Sequence, residues 1–128
     1  MNENELSKII IEKALKIHKV LGPGLFESVY HTVLVYELRK SGLKVESEKD
    51  IPVEYEGIIF DKGFRADIIV ESKVLIELKS VKKLEDIHFK QTLTYLKLSG
   101  LKLGLVINFN EVLLKKGLKR IINGKIEN

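Results

Sequence analysis

The stretch Phe64-Arg65-Ala66-Asp67-Ile68-Ile69-Val70, followed by the turn Glu71-Ser72-Lys73 and then Val74-Leu75-Ile76-Glu77-Leu78-Lys79, decides the fold. Ile68, Ile69 and Val70, like Val74, Leu75, Ile76 and Leu78, are apolar at successive positions. On an extended chain they fill both faces, as in central strands covered from two sides. Side chains alternate along a strand, so Glu77 and Lys79 point the same way, as do Arg65 and Asp67. Adjacent strands lie ~5 Å apart, and the short turn brings Asp67 alongside Glu77 and Lys79. Two carboxylates and one ammonium are therefore expected in one small patch. The plainer reading is a solvated hairpin face whose cross-strand ion pairs are worth under ~1 kcal/mol. Against it, charges on strands covered from both sides are costly unless they are grouped for a purpose at a strand end.

Working outward, Leu6, Ile9, Ile10, Lys13, Ile17, Val20 and Leu21 fall at helical spacing and predict an amphipathic helix from Glu5 to Leu21, stopped by Gly22-Pro23-Gly24. A second helix is expected from about Leu25 to Lys40, with Val29, Val33, Leu34 and Leu38 inward and Ser41-Gly42 at its end. Strand-like segments follow at Leu43 to Glu48, Ile51 to Tyr55, Ile58 to Phe60, Phe64 to Val70 and Val74 to Leu78. Lys49-Asp50, Glu56-Gly57, Asp61-Lys62-Gly63 and Glu71-Ser72-Lys73 read as the turns of an antiparallel meander. Leu84 to Leu98 returns to helical period and is closed by Ser99-Gly100. Leu103 to Phe109 is apolar on both faces, so a helix joins two buried strands, which implies a right-handed crossover and a parallel pair. A last strand around Leu118 to Ile122, with a frayed end, completes the expectation of one α/β domain over residues 1–128.

The bulk numbers agree with this outline. In 128 residues, 45% are hydrophobic and 31% charged, which excludes disorder and low complexity as readings of any long stretch. No apolar run approaches the ~20 residues of a membrane helix, and a cytoplasmic location without membrane contact is expected. The chain has no cysteine, so any metal must be held by oxygen or imidazole. The net charge of +4 leans modestly toward a polyanionic partner. Lys82, Lys83, Lys115, Lys116, Lys119 and Arg120 are candidates for such a footprint, although a solvated surface explains most of them.

The acidic pair has a specific chemical use. Magnesium takes hard oxygen ligands, commonly one or two carboxylates plus waters and substrate phosphate, and Asp67 and Glu77 supply that pair. Water held there near the Lys79 ammonium loses a proton more readily, and the ion offsets charge that builds on a transferring phosphoryl group. Magnesium or manganese is therefore the expected cofactor.

With Ala66-Asp67 standing where the name has Pro-Asp, and Glu77-Leu78-Lys79 supplying the E-x-K part, the sequence resembles the PD-(D/E)XK nuclease superfamily. Within it the closest likeness is to the GxxExxY group. Gly24-Leu25-Phe26-Glu27-Ser28-Val29-Tyr30 fits the naming motif, Tyr36-Glu37-Leu38 follows, and His88, Gln91 and Tyr95 resemble the trailing H-x2-Q-x3-Y element. The likeness runs from about Ile9 to Asn123. It implies a restriction-endonuclease-like core, a mixed central sheet flanked by helices with the N-terminal helical hairpin added, and Glu27 reaching the metal from a helix. It also implies that Gln91 and Tyr95 orient phosphate or water, beside catalytic Asp67, Glu77 and Lys79 and a metal-binding carbonyl on Leu78.

Local readings compete at several of these positions. Glu27 in a first helical turn is favoured by the helix dipole and by free amides. Tyr30, one turn on, fits either nucleic-acid contact or packing with a bonded hydroxyl. His88, Gln91 and Tyr95 fall within about 60° on their helix, apart from the stripe Phe89, Leu93 and Leu96. His88 and Arg65 are candidate phosphate contacts, although Arg65 has Glu27 and Glu77 as rival partners. Two functions stand: a metal-dependent nuclease acting on nucleic acid, DNA ahead of RNA, or a catalytically silent nuclease-like module that binds nucleic acid or a protein. The small size leaves no room for a separate DNA-reading domain, so a homodimer or partner protein is expected to help.

Overall fold

The computed structural model describes residues 1–126. Helix α1 (Glu3–Leu21) begins at a capping box in which Asn2 Oδ1 accepts from the Glu5 amide and Glu5 Oε1 accepts from the Asn2 amide. Its buried stripe is Leu6, Ser7, Ile10, Ala14 and Ile17. Val20 and Leu21, expected on that stripe, are exposed instead, so burial stops one turn short of the helix end. Helix α2 (Glu27–Lys40) turns Tyr30, Leu34, Val35, Glu37 and Leu38 inward. Leu34 and Leu38 are buried as expected and Val33 packs partly buried against the same core, but Tyr30 takes the place expected for Val29, which is exposed. Tyr30 wins the position because both its ring and its hydroxyl find partners in the interior.

Strands β1 (Val45–Tyr55) and β2 (Ile58–Val70) are each continuous, so Lys49-Asp50 and Asp61-Lys62-Gly63 are not turns. The meander expected there is one long hairpin, closed by Glu56 and Gly57, both at positive φ as a two-residue type I′ turn requires. The turn-like composition at Gly63 instead marks an irregularity, because the β1–β2 register shifts between Ile51 and Val53. A Cβ on Gly63 would collide with the carbonyl oxygen of Ile51, so glycine lets the two backbones cross there.

Strand β3 (Val74–Lys79) pairs antiparallel with β2, and helix α3 (Asp86–Ser99) carries the chain to β4 (Leu103–Asn108), parallel to β3. A short 3-10 helix (Leu114–Gly117) leads to β5 (Leu118–Ile122), antiparallel to β4. The result is a mixed five-stranded sheet in the order β1-β2-β3-β4-β5. The expected C-terminal fraying falls partly outside the described residues.

Alternation assigns the two faces. Ile68, Val70, Val74, Ile76, Leu78, Leu103, Leu105 and Ile107 pack with α1 and α2 in the larger core. Leu75, Ile69 and Ile51 pack with Leu96 and Tyr95 of α3 on the other side. Helix α3 seats closely on β4, since a Cβ on Gly104 would lie 2.8 Å from Thr92 Cγ2 and 3.3 Å from Leu96 Cδ1. Among the described residues, no helix is long and apolar enough to cross a membrane.

Candidate active site

Leu75, Glu77 and Lys79 share the α3 face of β3, and the even-numbered neighbours fill the opposite core. The β2–β3 register runs Val70↔Val74, Ile69↔Leu75 and Ile68↔Ile76, and one further step sets Asp67 opposite Glu77. The ladder changes character at that step, where Asp67 Oδ2 accepts a hydrogen bond of 2.9 Å from the Leu78 amide. The Asp67 side chain, in place of β2 backbone, satisfies a strand donor, which fixes its carboxylate beside β3.

Glu77 is 5% exposed, and its Oε1 is buried without a hydrogen-bond partner. Burial pushes its carboxyl up to about 9, helped by a side-chain hydrogen bond and the negative charge of Asp67, with Lys79 pulling the other way. Buried carboxyl oxygens are normally satisfied, and an orphan at the end of a central strand is costly unless a cation or donor completes it.

Tyr95 reaches the same patch from α3. Burial raises its phenol, and the charges of Glu77 and Asp67 raise it further. Its ring lies 3.8 Å from that of Phe64 and within 3° of parallel, which locks its orientation against β2. Glu27 arrives from the first turn of α2. Crowding around its carboxylate and the Asp67 charge raise it, opposed by Lys79 and His31. Glu27 and Asp67 share a cleft of about 350 Å³ with Ser28, His31, Thr32 and Glu48.

The other expected site residues are placed differently. Tyr30 does not face a ligand: it is fully buried, stacked 4.4 Å from Phe109. Its hydroxyl donates to the Gly22 carbonyl at 2.6 Å and accepts from the Leu25 amide at 3.1 Å. It holds the connector that presents Glu27. Arg65 pairs with neither Glu27 nor Glu77 but with Asp50 across the hairpin, at 3.2 Å. His88 Nδ1 accepts from the Glu85 amide at 2.9 Å and closes the capping box of α3. Gln91 is exposed on α3. The Leu78 side chain is fully buried in the larger core. Glu27, Asp67 and Glu77 do not make one ligand cage, for among the described residues no three His, Cys, Asp or Glu side chains are grouped to hold an ion. Of the basic residues, Lys83, Lys116 and Lys119 line a cleft of about 280 Å³ with Phe89 and Glu111.

Sequence reasoning missed three supports. Glu48, between the pairs Ser47↔Ile68 and Lys49↔Ala66, has φ 52 and lines the cleft beside Asp67. Its strained backbone was signalled by nothing local. Fully buried Asn108 donates to the Val81 carbonyl at 2.9 Å and accepts from the Val81 amide at 3.0 Å, tying down the loop after Lys79. Its one clue was a polar residue ending an apolar run. Ser80 Oγ donates to the Leu25 carbonyl at 2.8 Å and joins that loop to the Glu27 connector.

A family model described as the PD-(D/E)XK nuclease superfamily matches residues 4–121. No curated protein and no solved structure gives a significant match.

Proposed function

The chain belongs to the PD-(D/E)XK nuclease superfamily, and from that premise we propose that it is a divalent-metal-dependent nuclease of the GxxExxY group acting on DNA in preference to RNA, in the cytoplasm. The observation that carries this reading is the orphaned Glu77 oxygen beside Asp67 and Lys79. Two converging carboxylates suit magnesium or manganese, which retain several waters and take few protein ligands.

Asp67 and Glu77 would hold the ion, with the Leu78 carbonyl as a further oxygen donor, and Glu27, which shares a cleft with Asp67, would reach it through a bound water. When bound, the ion would polarise the scissile phosphate and acidify water. Lys79 donates hydrogen bonds to the attacking water and orients it toward phosphorus, and its positive charge opposes the negative charge gathering there. The Tyr95 phenol, kept protonated, donates to a phosphate oxygen, and Gln91, exposed one turn earlier on the same helix, is a second donor for the substrate. The attacking water forms a new phosphorus–oxygen bond and releases a proton to solvent, the phosphorus–oxygen bond to the leaving group breaks, and the departing oxygen takes a proton from solvent.

In a cleavage assay with single- and double-stranded DNA and RNA in Mg²⁺ or Mn²⁺, at least one substrate is cut. Lys79→Ala lowers the rate by at least about 100-fold, the scale of losing one transition-state donor. Activity that survives this substitution would count against the mechanism. A second reading, a silent nucleic-acid-binding or protein-binding module, is favoured by Arg65, a candidate phosphate contact, being paired with Asp50 instead. Binding without cleavage, and without divalent-ion uptake by calorimetry, would select it.

A further inference from the structure

A groove of about 620 Å³ lies between α2 and the edge strand β1, lined by His31, Thr32, Val35, Tyr36, Arg39, Lys40 and Ser47. His31 and Thr32 also line the cleft that holds Glu27 and Asp67, so the two spaces meet. Residues 32, 35, 36, 39 and 40 fall at three- and four-residue spacing on one helical face. From Glu27 to Lys40 that face runs roughly 20 Å, enough to follow several phosphates of one strand.

Two contacts tie α2 to β1 along the groove. His31 Nε2 and Ser47 Oγ share a hydrogen bond of 2.7 Å, and an Arg39 guanidinium nitrogen donates to the Val45 carbonyl at 3.0 Å. Arg39 has five donors and this bond uses one. Tyr36 is 60% exposed, with Lys40 Nζ 5.7 Å from its ring centroid, near the outer limit of a cation–π contact. Among the described residues, no acidic side chain lines the groove. Of the nearby acids, Glu37 is engaged by Lys16 at 3.1 Å and Glu46 by Lys49 at 2.7 Å, while Glu27, Glu48 and Asp67 line the adjoining cleft rather than the groove. An exposed aromatic face beside cations, in a channel free of negative charge, is how unpaired polynucleotide strands are held. A duplex would keep its bases stacked on one another and leave Tyr36 unused.

We propose that this groove binds one unpaired polynucleotide strand, with a base stacked on Tyr36 and phosphates on Arg39 and Lys40, and leads it past His31 to Asp67. The path toward the acids rests on the nuclease reading; the binding itself does not. Fluorescence anisotropy with labelled oligo(dT), oligo(U) and a hairpin DNA duplex, in EDTA so that no cleavage intervenes, separates the two. Oligo(dT) or oligo(U) binds more tightly than the duplex, and the comparison between them tells DNA from RNA. Tyr36→Ala weakens that binding by about 5- to 150-fold, whereas Tyr36→Phe, which keeps the stacking face, retains it. Arg39→Ala with Lys40→Ala flattens the salt dependence by roughly 1.4 in log–log slope, the value for two phosphates of a single strand. Single-strand binding indifferent to both changes, or a duplex bound more tightly and regardless of Tyr36, overturns the proposal even if cleavage is observed. Loss of cleavage in Lys79→Ala with this binding intact leaves it standing.

Discussion

Glu77 carries an unusual burden for one side chain. Its carboxyl is displaced upward to about 9 by burial and by Asp67, so the folded protein holds a proton that the unfolded chain releases near pH 4.5. Between those values the native state binds more protons, and stability contributed by neutral Glu77 falls as pH rises. Glu77→Gln cannot ionise. In urea denaturation without divalent ions, the variant is expected to match the wild type near pH 5 and exceed it by roughly 1–3 kcal/mol near pH 8. A difference that does not change with pH would mean that Glu77 is not held neutral. The proximity of Asp67 and Glu77 was legible because it needs only strand alternation and a short turn. The orphaned oxygen was not, since it depends on what α3 and β4 fail to offer. Tyr30 stood open between ligand contact and packing because its partners Gly22, Leu25 and Phe109 come from a connector and a distant strand end.

At the scale of elements, α3 is the part that must sit closely. Gly104 lets Thr92 and Leu96 approach β4, and an added methyl would lie 2.8 Å from Thr92 Cγ2. Gly104→Ala is expected to destabilise the fold by roughly 1–3 kcal/mol as the helix shifts or its side chains leave their rotamers. A thermal melt unchanged from wild type would show that the contact can relax. Tyr95 rides on the same helix, so the substitution should slow cleavage as well. The buried run Leu103 to Asn108 and the helix before it were readable, because apolar periodicity is a local signal that tertiary contacts here reinforce. The breaks at Lys49-Asp50 and Asp61-Lys62-Gly63 were misread because polar and glycine-rich composition marks bulges and exposed strands as well as turns. Beyond Ile68 toward the hairpin tip, β2 has only β1 as a paired strand, so these segments meet solvent and carry polar residues without ceasing to be strands.

At the scale of the whole molecule, the sheet order was legible in outline: an antiparallel start, a helical crossover and a parallel partner. That topology brings the first turn of α2, the inner part of β2, the end of β3 and the sheet-facing side of α3 near one another, and with them Glu27, Asp67, Glu77 with Lys79, and Tyr95, although among the described residues Glu27, Asp67 and Glu77 are not grouped as one ligand set. The groove along α2 could not be foreseen, because it depends on how the helix packs against β1, the edge strand that follows it. The central proposal is that Asp67 and Glu77 converge on a divalent cation, and crystals grown with manganese test it most directly. Anomalous density in bonding distance of both carboxylates, with the Glu77 Oε1 atom now a ligand, is the expected result. Manganese bound elsewhere, or absent at saturating concentration while that oxygen stays without a partner, would contradict it.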